Sequence, residues 1–371
     1  MMKRAILTVT VIFFLFAFLS CQPVQETAPA SSVYPFDLGR IAYGFFPSPP
    51  EVSEQSVLGI YQAIGQHADV VLLQQNIPWA DFATSVDAES QAIIDIGNQF
   101  YLAQQNGLEV IFVVDPLNGL NRREFYNLPA DWEASFANPQ VRAAFTNFVL
   151  RIVREFHPDY LGLASEINTY ADTHPEDFEN YLSLYNSVYA LVKAEAPQTT
   201  LFVTFQWEEL NNLVPSVAQG DPYDINWDQV ECFEPNLDLW AISSYPYIIY
   251  PSGKDIPSDY YSPLLTHTTK PLAVAEGGFS SRVIGSFNGT PQGQVDYLNA
   301  IHNQIGGNRL AFWIYLLLAD FNVASYGEVM TQQGHGNDVA TLAVFGAVGL
   351  CEYDLIPKAA LAIWDLFRED N

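Results

Sequence analysis

An α/β fold of one closed (β/α)8 (TIM) barrel is what this sequence predicts, and three observations predict it. From residue 38 onward, short hydrophobic runs alternate with longer amphipathic stretches eight times. The runs are nearly continuous rather than alternating, which marks strands buried on both faces, as in a parallel sheet. A doubly wound open sheet would need a Gly-rich phosphate loop after an early strand, and the sequence has none.

The candidate strands follow in order: residues 40–46 (RIAYGFF), 69–74 (DVVLLQ), 108–115 (LEVIFVVD), 160–166 (YLGLASE), 200–206 (TLFVTFQ), 239–245 (LWAISSY), 271–276 (PLAVAE) and 310–316 (LAFWIYL). Between them lie helix candidates with recognisable ends. Ser53 can cap a helix over 53–68, and a second over 88–106 stops at Asn106-Gly107. A third over 138–156 stops at His157-Pro158. Thr173 and Glu176 have the spacing of a capping box opening a helix over 175–196, which Pro197 closes. Residues 291–305 and 356–369 complete the set; the helices after strands five and six are weakly signalled. The long segments 207–238 and 317–354 read as loops at the barrel mouth that wall a cleft.

Ahead of the barrel, Lys3 and Arg4 precede an apolar stretch from Ala5 to Leu19, then Ser20 and Cys21. That stretch is short for a bilayer span, and a small residue before the cut favours a cleaved export signal. The run FLSC resembles a bacterial lipobox, with Phe18 standing where an aliphatic residue is usual. The resemblance implies a signal over 1–20 and a lipidated Cys21; an ordinary secretory cut near Ala28 or Ala30 is the alternative. Residues 21–36, polar and proline-bearing, then tether a single domain over 37–371. The expectation is an exported protein, a cell-envelope lipoprotein at the outer membrane or cell surface, or otherwise secreted. It would meet the membrane through its anchor and be monomeric.

The 371-residue chain has a formal charge of −27, and without Lys3 and Arg4 the remainder carries 13 basic and 42 acidic residues, a net of −29. Such a surface repels phosphate backbones and anionic lipid, so nucleic acid is excluded as a partner and a neutral substrate fits. Cys232 and Cys351 remain after Cys21 and are able to pair in an oxidising compartment, although sequence sets no distance between them.

In a barrel of this kind the strand ends converge on one opening. Here they supply Asp115, Glu166, Gln206, Tyr245, Glu276 and Trp313, with Trp79 and Trp207 just beyond strands two and five. One polar residue at a strand end can simply mark where the strand meets water. Glu166 and Glu276, at the ends of strands four and seven, lie on opposite sides of a barrel narrow enough for them to meet. Two carboxylates so placed point to an acid and a nucleophile, hence to cleavage of a glycosidic bond. Aromatic planes at the mouth suit the apolar faces of sugar rings, and Trp79, Trp207, Tyr247, Phe279 and Trp313 are the candidates.

The residues ASEIN around Glu166 resemble the acid/base motif of the family 53 endo-β-1,4-galactanases, and AEGGF around Glu276 resembles the nucleophile strand of glycoside hydrolase clan A. The resemblance implies Glu166 as general acid/base and Glu276 as nucleophile of a retaining (β/α)8 hydrolase. It also implies Tyr245 as a hydrogen-bond donor to the nucleophile and Trp313 as the floor of the sugar subsite. Two positions differ from the clan's usual pattern. Ser165 replaces an asparagine that binds the sugar 2-hydroxyl, leaving Ser165 and nearby Asn168 as the candidate polar contacts. Gln74, Gln75 and Asn76 stand where an arginine is frequent.

Other chemistries find no support in the sequence. There is no HExxH spacing, no CxxC pair and no GxSxG elbow. The run 224–229 opens like a calcium loop but lacks its glycine at the sixth position and glutamate at the twelfth, so neither a metal nor a cofactor is expected. The sequence thus predicts a retaining hydrolase of a neutral β-linked poly- or oligosaccharide, galactan-like, with β-mannan or β-glucan as alternatives. A non-catalytic carbohydrate-binding lipoprotein on the same scaffold is the alternative from another class.

Overall fold

The computed structural model describes residues 40–370 apart from Asn308 and Gln333; the signal segment, Cys21 and the tether lie outside the described residues. The strands are β1 Ala42–Phe46, β2 Val70–Asn76, β3 Glu109–Asp115, β4 Tyr160–Gly162, β5 Thr200–Phe202 resuming at Thr204–Gln206, β6 Trp240–Ser244, β7 Leu272–Gly277 and β8 Leu310–Leu317. Each pairs in parallel with its sequence neighbours, and β1 pairs with β8. Closure passes through β5: its first part takes Tyr160↔Thr200 with β4, and its second takes Gln206↔Ser243 with β6. One strand, broken at Val203, therefore completes the circle.

The outer helices are α1 Glu54–His67, α2 Gln91–Gln105, α3 Pro139–Phe156, α4 Pro175–Glu195, α5 Asp228–Glu231, α6 Pro263–His267, α7 Pro291–Ile305 and α8 Ala359–Glu369. Their ends follow the sequence signals in most places. Ser53 accepts the Ser56 N–H at the start of α1, Asn138 accepts that of Gln140 at α3, and Thr290 accepts that of Gly293 at α7. Gly107, at φ +71°, turns the chain out of α2, a conformation that suits glycine. The capping box predicted at Thr173 does not form. Thr173 closes a preceding short helix, Ile167–Thr173, and its hydroxyl donates back to Thr169 O at 2.9 Å, so it is not free to cap α4.

Side chains alternate between the barrel interior and the helical layer, as the strand period requires. On β8, Phe312 points inward and meets Tyr160 and Phe202 at 5.4 and 5.8 Å between ring centroids. Trp313 points outward and packs against Tyr43, Trp364 and Phe367. Beyond β8, the buried Lys358 ammonium meets Asp320 at 2.7 Å and also donates to Ser281 Oγ and Gly349 O, pinning the start of α8 to the loops after β7 and β8. Cys232 is exposed and Cys351 buried, and both are free thiols. Among the described residues no helix is long and apolar enough to cross a membrane.

Candidate active site

Glu166 stands where β4 gives way to helix Ile167–Thr173. The regular ladder ends at Gly162, but Leu163 N–H still donates to Phe202 O, and Thr204 N–H donates to Ala164 O. Glu166 itself has φ 49° and ψ 44°, a left-handed conformation uncommon outside glycine and asparagine. Its N–H donates to Thr204 Oγ1 at 2.8 Å, which holds that turn in place. Backbone strain at a buried acid is often tied to function.

Glu166 is buried, 9% exposed as a residue, and both of its carboxylate oxygens are engaged. Oε1 accepts from Ser243 Oγ at 2.5 Å, and Oε2 accepts from Arg122 Nε at 3.1 Å. Arg122 lies on a hairpin after β3, formed by Leu117–Asn118 and Asn121–Phe125, and its guanidinium also pairs with Asp115 at the end of β3. Gln74 Nε2 donates to the same Asp115 oxygen at 2.8 Å. Burial alone would lower the Arg122 pKa, but the charges of Asp115, Glu166 and Glu276 outweigh it and raise it, so the guanidinium stays charged.

Glu276 sits on β7 as the register partner of Ser243, beside the hydroxyl that holds Glu166. Its Oε1 accepts from Tyr245 OH, while Oε2 is buried with no hydrogen-bond partner among the described residues. Ser243 lies on β6 and Tyr245 one residue past its end, two residues apart, so their side chains point to one side. That side holds both carboxylates, one through each hydroxyl. Burial first, then the Glu166 charge, pushes Glu276 up to about 8, against the opposing pull of Arg122 and the Tyr245 donor. Glu276 therefore holds a proton near neutral pH. Gly277 lets the two strands close here, since a Cβ would approach Ser244 O to 2.6 Å.

Behind β6 lies Glu208, fully buried, with four donors on its carboxylate. Oε1 takes Ser244 Oγ at 2.6 Å and Tyr260 OH at 3.2 Å; Oε2 takes Gln206 Nε2 at 2.6 Å and Tyr245 N–H at 3.0 Å. It fixes the backbone from which the Tyr245 phenol reaches Glu276. A single bare buried carboxylate would cost several kcal/mol; this one is saturated with donors.

The structure brings Glu166, Tyr245, Glu276 and Asp115 together, as the strand-end reading expected. Five other expectations are corrected. Trp313 does not floor the mouth, because its β8 position is in register with Tyr43 and both face the helical layer. Trp79 is buried with its indole N–H on Tyr126 O, and its ring packs on Phe125 of the hairpin. Trp207 is wholly buried among Trp227, Tyr260 and Tyr261. Asn168 is committed to β5: its amide donates to Gln206 O and accepts the Gln206 N–H. Ser165 is also turned inward, 2% exposed, with its hydroxyl 3.2 Å from Thr204 Oγ1.

Arg122, Ser243 and Glu208 were not anticipated. A sign of the hairpin is present in Asn118-Gly119, a turn pair directly after β3. Ser243 follows from Tyr245 by the strand period once β6 is placed.

A scan against protein-family models finds no match, and neither does a search of curated proteins. Solved structures do match. The exo-β-1,4-mannosidase Op5Man5 from Opitutaceae bacterium strain TAV5 superposes with TM-score 0.64 at 11% identity, over 89% of this chain and 59% of that one. A GH5_18 protein of Bifidobacterium longum subsp. infantis gives 0.63 at 15% identity, over 89% and 79%. Fungal β-1,4-galactanases give 0.52 at 14%, over 88% and 94%. The likeness shows the fold, a (β/α)8 barrel, and that architecture fits the clan A barrels whose motifs Glu166 and Glu276 resemble. This chain spans less than two thirds of the mannosidase's length.

Proposed function

We propose that this protein is a retaining glycoside hydrolase acting on a neutral β-linked glycan. The observation that carries the reading is the pairing of Glu166 and Glu276 across one face of β6, where Ser243 holds one carboxylate and Tyr245 the other. Glu276 is the nucleophile: its unpartnered Oε2 is the atom to attack the anomeric carbon. Glu166 is the acid, giving its proton to the departing oxygen and then taking one from the attacking water.

In the resting site burial favours the proton on Glu276. Bond cleavage places positive charge on the sugar beside Glu276, which favours its ionised form. The site is thus more complementary to the charge-separated transition state than to the resting state. The structural neighbours, a β-1,4-mannosidase and β-1,4-galactanases, support β-1,4-linked mannans and galactans as the first substrates to try.

The test is a hydrolysis screen of purified protein on β-1,4-mannan, galactan and glucan oligosaccharides, with the first product's anomer read by NMR. The expected result is turnover with retention of the β configuration. Glu276→Ala is expected to lose about 10⁴-fold or more in kcat, and Glu166→Ala about 10²- to 10⁴-fold, with glycan binding kept in both. Binding without any wild-type turnover would instead establish a carbohydrate-binding protein, and an inverted product would remove Glu276 from the nucleophile's role.

A further inference from the structure

The connection after β8, residues 318–354, is tied to four other loop systems at the barrel mouth. Tyr326 OH donates to Pro49 O at 2.6 Å and Asn322 N–H to Pro50 O at 2.8 Å, both in the loop after β1. His335 stacks on Tyr126, just past the β3 hairpin, with ring centroids 5.3 Å apart. Tyr247, beyond β6, donates to Val344 O at 3.2 Å. Ser281, beyond β7, gives both its N–H and its hydroxyl to Ala347 O, at 2.9 and 3.0 Å.

Between His335 and Phe345 the chain therefore passes from the β3 side of the mouth to the β6 and β7 side. At the end of that crossing the half-buried Phe345 sets its ring edge-on to Tyr245, with centroids 5.1 Å apart. Tyr245 is the residue that donates to Glu276. The covered part of the mouth is thus the part that holds Glu276. Glu166 lies on the other side, under helix Ile167–Thr173.

This asymmetry bears on which bonds can be reached, given the two-glutamate reading on which it rests. The attacking carboxylate meets the sugar whose anomeric carbon is being displaced, on the non-reducing side of the bond. The acid meets the departing sugar on the reducing side. We propose that the β8 loop makes the Glu276 side of the cleft a dead end, with Phe345 as its wall. Sugar units then leave from non-reducing chain ends, and bonds inside a polymer are not cut.

The experiment uses mannohexaose, galactohexaose and cellohexaose labelled at the reducing end, sampled in the first few per cent of turnover. A dead end gives one short product of fixed size and a label that shortens stepwise. A spread of labelled fragments from internal cuts overturns it. A bulky acetal on the non-reducing sugar is expected to slow the wild type at least 100-fold and Phe345→Ala at least tenfold less. Equal tolerance of that acetal by wild type and by Phe345→Ala overturns the wall. If no hexaose is cleaved, the hydrolase reading fails, and binding to Glu276→Gln still decides the geometry: a dead end loses affinity for the hexaose blocked at the non-reducing end and keeps it for the one blocked at the reducing end, whereas equal affinities overturn it.

Discussion

Glu166 touches a charged partner at the barrel mouth, whereas Glu276 touches only a neutral phenol. Glu166 has a guanidinium on one oxygen and a hydroxyl on the other, with Asp115 beyond the guanidinium. Glu276 has one phenol and one bare oxygen. Both are buried glutamates at the ends of barrel strands, so the residue type does not distinguish them. Their neighbours do. The charged side comes from a hairpin inserted after β3; the neutral side comes from β6.

The largest effect is expected on the charged side. Arg122→Met leaves Asp115 buried with its charge unpaired, and breaking a buried pair in this way costs about 3–5 kcal/mol of stability. Urea unfolding measures it, and a loss below about 1 kcal/mol would mean that the guanidinium is not what stabilises Asp115. Adding Asp115→Asn should recover part of the loss, because no bare charge remains. Arg122 is also one of the groups holding Glu276 down, so its removal moves the acidic limb of the pH–rate profile to higher pH. An acidic limb left in place would separate Arg122 from the nucleophile.

On the neutral side the expected effect is smaller and falls on kcat. Tyr245→Phe removes the hydrogen bond to Glu276, and a bond to a charged group contributes about 1.5–3 kcal/mol. If that bond acts in the transition state, kcat falls by about 10- to 100-fold with little change in KM. An unchanged kcat would reduce Tyr245 to a packing role. Glu208→Gln sharpens the same point, since it disturbs the Tyr245 backbone without touching the phenol.

The parts of this arrangement that were legible in the sequence are those set by strand period and strand order. Continuous apolar runs gave the eight strands, and their ends gave Asp115, Glu166, Tyr245 and Glu276. Trp313 failed because it was placed by its nearness to a strand end, whereas the face it occupies is fixed by pairing with Tyr43 in β1. Trp79, Trp207 and Asn168 failed for a related reason: each lies beyond a strand, where the path of the loop decides what it meets. Arg122 was illegible because a hairpin carries it back 44 residues in sequence to Glu166, and Glu208 because its four donors come from elements that only the closed barrel assembles.

The remaining effect is thermodynamic, and it tests the Glu276 side without any substrate. Glu276 has a folded pKa of about 8 against an ordinary value of 4.5, so between those values the folded chain holds a proton that the unfolded chain has released. Stability from this group is present below about 4.5 and is lost as pH rises through about 8. Glu276→Gln cannot titrate. The melting temperature of that variant relative to wild type should therefore climb steadily from pH 5 to pH 8, with other groups cancelling in the difference. In a Glu166→Gln background the climb should shrink but not vanish, because the Glu166 charge is gone while burial, the larger cause, remains. A flat difference in both backgrounds would place Glu276 in an environment wet enough to ionise freely. A climb unaffected by Glu166 would show that the two carboxylates do not sense each other, which would undo the contrast between the two sides as parts of one site.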